Sequence, residues 1–364
     1  MLKVFRWPLG ITVATLLASL LLGGPQALVL VAILAVLEIS LSFDNAVVNA
    51  GVLGRMNDWW QKIFLSVGII IAVFGMRLIF PIVIVAITAH IGPIETVHLA
   101  LDKPSEYAEL LHGAHPAIAA FGGLFLLMIF LDFVFEEHGP PWLGKLEAAL
   151  ARIGKLDQLA VVIALTALAV VAETIAKDHQ YTVIFAGVLG VVLYIFVGSL
   201  GDLFEEATEE EGQPSGPNAV ALAGKAAFFL FIYLEILDAS FSFDGVIGAF
   251  AITENIFVIA AGLGVGALYI RGLTVYLVKK GTLSEYVFLE HGAHWAIGAL
   301  AVILLLTIKY EIPEVVTGVI GVAFIGIAMV SSVAYRRKHA LTDQDAPENE
   351  DHPHDPRPGE SLVG

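Results

Sequence analysis

The 364-residue sequence predicts an all-α, polytopic membrane protein. The expected architecture is a helical bundle of about ten transmembrane helices in two inverted-topology repeats, with broken helices at a duplicated acidic motif. Three observations carry this prediction. Hydrophobic residues make up 58% of the chain and charged residues only 15%, with a mean hydropathy of +0.84, which is outside the soluble range. Apolar runs recur near the 20-residue length that spans a bilayer. One motif is written twice inside such runs, as Glu38-Ile-Ser-Leu-Ser-Phe-Asp44-Asn45 and as Glu235-Ile-Leu-Asp238-Ala-Ser-Phe-Ser-Phe-Asp244-Gly245.

The runs follow in chain order. The first, 8–23, comes after Lys3 and Arg6 and ends at Gly23-Gly24-Pro25; it reads as a spanning helix, with a signal peptide as the rival reading. The run 27–50 holds the first acidic motif, and 63–88 carries Arg77 deep inside it. Ser105-Glu106-Tyr107 and His112-Gly113-Ala114-His115 precede the run 116–135, which contains Asp132. Runs 157–176 and 181–200 close the first half. The second half opens with the second motif in 219–250, followed by Arg271 in 255–278. Ser284-Glu285-Tyr286 and His291-Gly292-Ala293-His294 then introduce the short run 295–309, and 313–335 is the last.

These landmarks recur in order, so the chain contains an internal repeat. Asp132 falls opposite Glu311, and Gly187-Val-Leu-Gly190 matches Gly318-Val-Ile-Gly321. The run 157–176 has no counterpart, which sets the two motif helices in opposite directions. Inverted repeats place paired motifs face to face near the bilayer midplane, where transporters bind their substrates. The boundaries expected are 1–26 for an N-terminal helix, 27–200 for the first repeat with one extra helix, and 201–218 for an acidic linker. The second repeat takes 219–337, and 338–364 forms a disordered acidic tail. Alternating the loops puts twelve Lys and Arg on one side and only Lys103, Lys177 and Lys309 on the other. That bias predicts a plasma (inner) membrane protein with both termini and the linker in the cytoplasm.

An ionised carboxylate near the bilayer centre costs about 2.5 to 3.5 kcal/mol, so Glu38, Asp44, Glu235, Asp238 and Asp244 unpaired would cost about 12 to 18 kcal/mol. A cation offsets that cost, which makes these residues, with Asn45, the candidate metal ligands. On an unbroken helix Glu38, Ser42 and Asn45 share a face, as do Glu235, Asp238 and Ser242, while Asp44 and Asp244 point elsewhere. The helix therefore unwinds near Ser42 and Ser242, or each Asp meets the opposite repeat. Asn45 and Gly245 favour a break. Carboxylate, amide, hydroxyl and carbonyl oxygens suit hard divalent ions such as Mg2+, Ca2+ and Mn2+. Arg77 and Arg271 read as structural partners of the motif acids, although two arginines cannot neutralise five carboxylates. With no cysteine, disulfide frameworks and thiolate metal sites are excluded.

The paired signatures resemble those of the TerC family of integral membrane proteins, related to LysE-type exporters, over about residues 27–335. Gly245, the missing proline after it and the extra helix suggest a longer branch of that family. The resemblance implies a divalent-cation transporter, with Mn2+ efflux the expected activity and Glu38, Asp44, Asn45, Glu235, Asp238 and Asp244 as its functional residues. No cofactor is expected beyond the transported cation. Alternatives are a Ca2+/H+ exchanger, an amino-acid exporter, or a non-transporting membrane scaffold in stress response. Expected partners are the metal ion, the lipid bilayer, and a second copy or a cytoplasmic protein at the acidic linker. No phosphate loop, nucleophile–base pair or basic groove is present, so neither an enzyme nor a nucleic-acid partner is expected. The His-Gly-Ala-His pairs read as interfacial histidines, with a transition-metal mouth site as the alternative. Asp132, Glu173 and Glu311 read as acids near helix ends, with a secondary site or proton path as the alternative.

Overall fold

The computed structural model describes residues 2–156, 158–210, 224–253, 255–280 and 286–344, and every regular element among them is a helix. We number these α1 (Leu2–Leu41), α2 (Phe43–Leu53), α3 (Asp58–Thr88), α4 (Pro93–Asp102), α5 (Pro104–Phe135), α6 (Lys145–Ile153), α7 (Leu159–Thr174), α8 (Gln180–Glu210), α9 (Gly224–Ile252), α10 (Ile256–Lys280), α11 (Leu289–Thr307) and α12 (Glu314–Gln344). The middle of α3, Ile71–Ile79, is wound as a π-helix.

α1 is a hairpin rather than a rod. Gly24 sits at φ 76°, a left-handed value that glycine adopts without steric cost, and Pro25 follows it. Thr12 reaches Tyr269 on α10, and Ser19 and Leu22 lie beside Asn255 at the start of that helix. The chain then climbs back, with Leu34 against Gly262 and Glu38 against Gly266. The two arms are about 33 and 25 Å long at 1.5 Å per residue. Without a hydrophobic drive between helices in lipid, close backbone approach matters, and Gly262 and Gly266 provide it one turn apart.

Among the described residues, seven helices are long and apolar enough to cross a membrane, against the ten runs expected. The difference has three sources. Phe5–Ser40 counts once although it folds back, Leu159–Thr174 is short, and the side chains of α9 are described without interruption only over 227–241.

Contacts assign each helix a direction. The second arm of α1 runs parallel to α10, whereas α3 runs antiparallel to it, with Val73 at Gly264 and Phe64 at Arg271. α9 parallels α3, with Trp60 on Phe231 and Gly68 at Glu235. α5 opposes both α9 and α11, through Phe125 on Tyr233 and Phe130 on Trp295. The helices bearing the first motif, Arg77 and the first His-Gly-Ala-His therefore each oppose their counterparts α9, α10 and α11. These three pairs form the inverted repeat.

The repeat does not extend to the expected glycine match. α8 runs parallel to α5, with Gly190 at Phe121 and Tyr194 on Phe125. α12 opposes α11, with Ser332 at Phe288 and Ala328 at Gly292. Both thus point the same way, because the unpaired crossing of α7 reverses everything after it. Inversion cannot relate Gly187–Gly190 to Gly318–Gly321.

The same directions gather Arg55, Lys145, Arg152, Lys155, Lys279 and Arg336 at one end of the bundle, the basic end, and place Lys103, Lys177 and Lys309 at the other. The expected linker begins as helix, since α8 continues through Glu210, and the expected tail begins as helix up to Gln344. Strong helix formers there prolong helices already nucleated by apolar spans. Residues 211–218 and 345–364 lie outside the described set.

Candidate functional site

The first motif breaks where the sequence suggested. α1 ends at Leu41, Ser42 leaves helical geometry at φ −100°, ψ 18°, and α2 starts at Phe43. Short polar side chains compete with the helix for backbone hydrogen bonds, which favours a break at such a site. The second motif does not break: α9 is continuous from Gly224 to Ile252. Gly245 serves clearance instead. A Cβ there would lie 3.1 Å from Glu38 Oε2, so the glycine admits the carboxylate of the opposite repeat.

Each buried arginine holds the acid of its own half. Arg77, on the π-helical stretch of α3, donates to Glu38 and to the carbonyl of Ala72 at 2.6 Å. π-helical turns concentrate at functional sites because they re-aim side chains within a helix. Arg271 clamps Glu235 at 2.9 and 2.8 Å and reaches Asp238 at 3.1 Å. Its guanidinium also lies 4.2 Å over the Phe64 ring and donates to the Phe64 carbonyl at 3.3 Å. A Cβ at Gly68 would strike both Arg271 and Glu235, and one at Gly266 would strike Glu38.

Glu38 stands six residues before Asp44, and Asp238 stands six before Asp244. The equivalent pairs are therefore Glu38–Arg77 and Asp238–Arg271, with Glu235 the acid that lacks a counterpart. Glu38, Ser42, Asn45, Arg77, Asp238 and Arg271 enclose a cavity of about 10 Å3, room for about one water. Arg271 also holds Glu235 beside the cavity, so three carboxylates (Glu38, Glu235, Asp238) meet two guanidiniums here, and two of the three carboxylates line the cavity itself. No group of three His, Cys, Asp or Glu residues that could hold a metal ion occurs among the described residues. The side chains of Asp44, Ser242 and Asp244 lie outside that set.

A far larger cavity, about 740 Å3, opens at the basic end. Arg55, Asp132, His138, Tyr194, Tyr233 and His294 give it a mixed polar wall. Its floor includes Val48, one helical turn (about 4.5 Å of rise) from Asn45 in the small cavity. Asp132 accepts from the Tyr194 hydroxyl at 2.5 Å. Glu311, its counterpart in the aligned repeat, is exposed at the other end, where inversion puts it. Glu173 is likewise exposed and bonds Gln180 at 3.0 Å.

The two His-Gly-Ala-His stretches have different surroundings. His112 is exposed. His291 is buried, its Nε2 3.1 Å from the His138 carbonyl and its Nδ1 3.0 Å from Glu147 Oε2, an ion-pair approach not aligned as a hydrogen bond. Glu147 also accepts from Trp142 N at 2.7 Å and Trp295 Nε1 at 3.0 Å, which ties the short helix α6 to α11. Phe133 stacks between His138 and His294, at 4.3 and 3.7 Å. This stretch is a structural bracket rather than a row of interfacial histidines.

Several site residues had no role in the sequence reading. Asn49 is fully buried and neither amide atom has a partner. Its spacing from Ser42 and Asn45 continues the polar stripe of the motif, so that signal was present. Phe64, Tyr194 and Tyr233 carry no such signal, since an aromatic in an apolar helix is ordinary packing.

A family model described as "Protein of unknown function (DUF475)" matches residues 43–339, about four-fifths of the chain. The chain belongs to the DUF475 family. The match begins just after Ser42, so it includes Asp44, Asn45, Arg77, Glu235, Asp238, Asp244 and Arg271 but not Glu38. No curated protein and no solved structure matches the chain.

Proposed function

We propose that this DUF475 protein is a secondary transporter that exports a divalent metal cation, Mn2+ before others, through the carboxylate cluster. The observation that carries the reading is the placement of Glu38 and Asp238, from antiparallel repeats, on one buried cavity, with a third carboxylate, Glu235, held beside it by Arg271. That cavity lies a helical turn below a wide polar vestibule. An incoming cation competes with Arg77 and Arg271 for the same oxygens, and transport is the exchange of guanidinium for metal and back. Hard oxygen ligands favour Mn2+, Ca2+ or Mg2+; Mg2+ dehydrates reluctantly, which favours Mn2+ in so small a site. The resemblance to the TerC signatures points the same way. The lysine and arginine bias supports a cytoplasmic basic end, and with it a cytoplasmic vestibule, in the plasma-membrane setting of this reading.

Arg55 and Asp132, which both line the vestibule, also suit a zwitterion, which keeps amino-acid export as the second reading. The deciding experiment measures accumulation of a panel of metals and amino acids in cells lacking the protein. Complementation by wild type and by Asp44→Asn or Asp244→Asn completes it. Retained Mn2+, restored efflux with wild type, and failure of both variants at equal expression support the proposal. Unchanged metal content with retained amino acid selects the second reading.

A further inference from the structure

We infer that the cation leaves through a seam between the first half of α5 and the last half of α9, which this structure holds shut. The inference rests on the transport reading above and adds the path to it. α5 and α9 run antiparallel, so their opposite ends define both sides of the protein. At the basic end, Tyr233 of α9 and Asp132 of α5 line the open vestibule. At the far end, Tyr107, Leu111 and Ala114 of α5 pack with Val246, Ala249 and Phe250 of α9 into one buried cluster.

The repeat makes that difference meaningful. Aligning the His-Gly-Ala-His stretches sets Glu290, Ala293 and His294 opposite Leu111, Ala114 and His115. The second-half residues line the vestibule, with Glu290 exposed where its counterpart Leu111 is fully buried, although Ala293 and Ala114 are both 2% exposed. Tyr286, on the open side, is half-buried with Arg336 5.3 Å over its ring; its counterpart Tyr107 is fully buried, 5.7 Å from Phe250. Related surfaces are thus open in one repeat and shut in the other, the asymmetry that a two-state carrier needs in either state.

An independent observation marks the seam as a route rather than a permanent core. The Tyr107 hydroxyl is buried with no hydrogen-bond partner. A buried polar group left unpaired is costly, and such groups call for an explanation. Opening the seam supplies one, because water or a hydrated cation satisfies the hydroxyl there.

The native chain has no cysteine, so single-cysteine labelling reads the seam directly. Val48→Cys on the vestibule floor, and Ala114→Cys and Ala249→Cys on the two walls of the seam, are exposed to a membrane-impermeant thiol reagent in sealed vesicles of each orientation. Val48→Cys is expected to react from the basic side. Ala114→Cys and Ala249→Cys are expected to react from the opposite side, at a rate that changes when Mn2+ is supplied. In the Ala114→Cys background, Tyr107→Phe should slow labelling about fivefold or more, since it removes the orphan hydroxyl that penalises the shut state. If both seam cysteines stay unreactive in protein that still exports metal, the path lies elsewhere and the inference falls while the function stands. If they react, but indifferently to every divalent ion in protein that moves no metal, the transport reading falls and the cation path with it, and only the opening of the seam stands.

Discussion

Removing Arg271 tests whether the arginines hold the cluster together. The side chain is 2% exposed and makes three bonds to two carboxylates at 2.8 to 3.1 Å. Arg271→Ala leaves Glu235 and Asp238 buried beside each other without a counter-charge. Breaking a buried pair by deleting one partner costs about 3 to 5 kcal/mol. That corresponds to about two to three and a half orders of magnitude in the unfolding equilibrium. Equilibrium unfolding of the purified protein in mixed micelles measures the change. Arg271→Lys should recover only part of it, because an ammonium cannot match the bidentate grip on Glu235. A triple variant, Arg271→Met with Glu235→Gln and Asp238→Asn, should recover most of it, since no buried charge is left unmatched. Arg271→Ala within about 1 kcal/mol of wild type would refute the reasoning, because surface-like energetics would then hold at this site.

Three further outcomes follow from the same geometry. Gly266→Val should destabilise the protein by about 1 to 3 kcal/mol through overpacking against Glu38, whereas Gly113→Ala, which meets nothing within 4 Å, should be silent in the same unfolding assay. Single cysteines at Lys279 and Asp102 should label from opposite faces of sealed vesicles, and labelling from one face would undo the helix directions. Purified protein should bind Mn2+ in preference to Cu+, since the cluster offers oxygen and no thiolate; tight Cu+ binding without Mn2+ binding would mean the ligands are misread.

Much of the architecture is readable from local pattern. Apolar runs mark the helices, the paired motifs mark the cluster, and an arginine in each following run marks its partner. The Gly23-Gly24-Pro25 punctuation coincides with the fold-back of α1. What escapes the sequence depends on long-range contact or on backbone detail. The π-helical stretch that aims Arg77 looks like any apolar helix. Glu147 reaches Trp295 and His291 across about 145 residues, a pairing that no spacing rule foresees. Gly245 suggested a break because glycine tolerates unusual backbone, yet its role is clearance for Glu38 in the other repeat. The Gly187–Gly190 match to Gly318–Gly321 was a likeness of packing stripes, and an unpaired crossing overruled it.

The central claim is that the buried carboxylates carry a divalent cation across the membrane. Reconstituted into liposomes, wild-type protein should move Mn2+ faster than empty vesicles do. Glu38→Gln and Asp238→Asn, each folded and inserted, should fall to the empty-vesicle rate. Wild-type flux from both variants, or wild-type vesicles no faster than empty ones with Mn2+, Ca2+ and Mg2+ alike, would contradict the account.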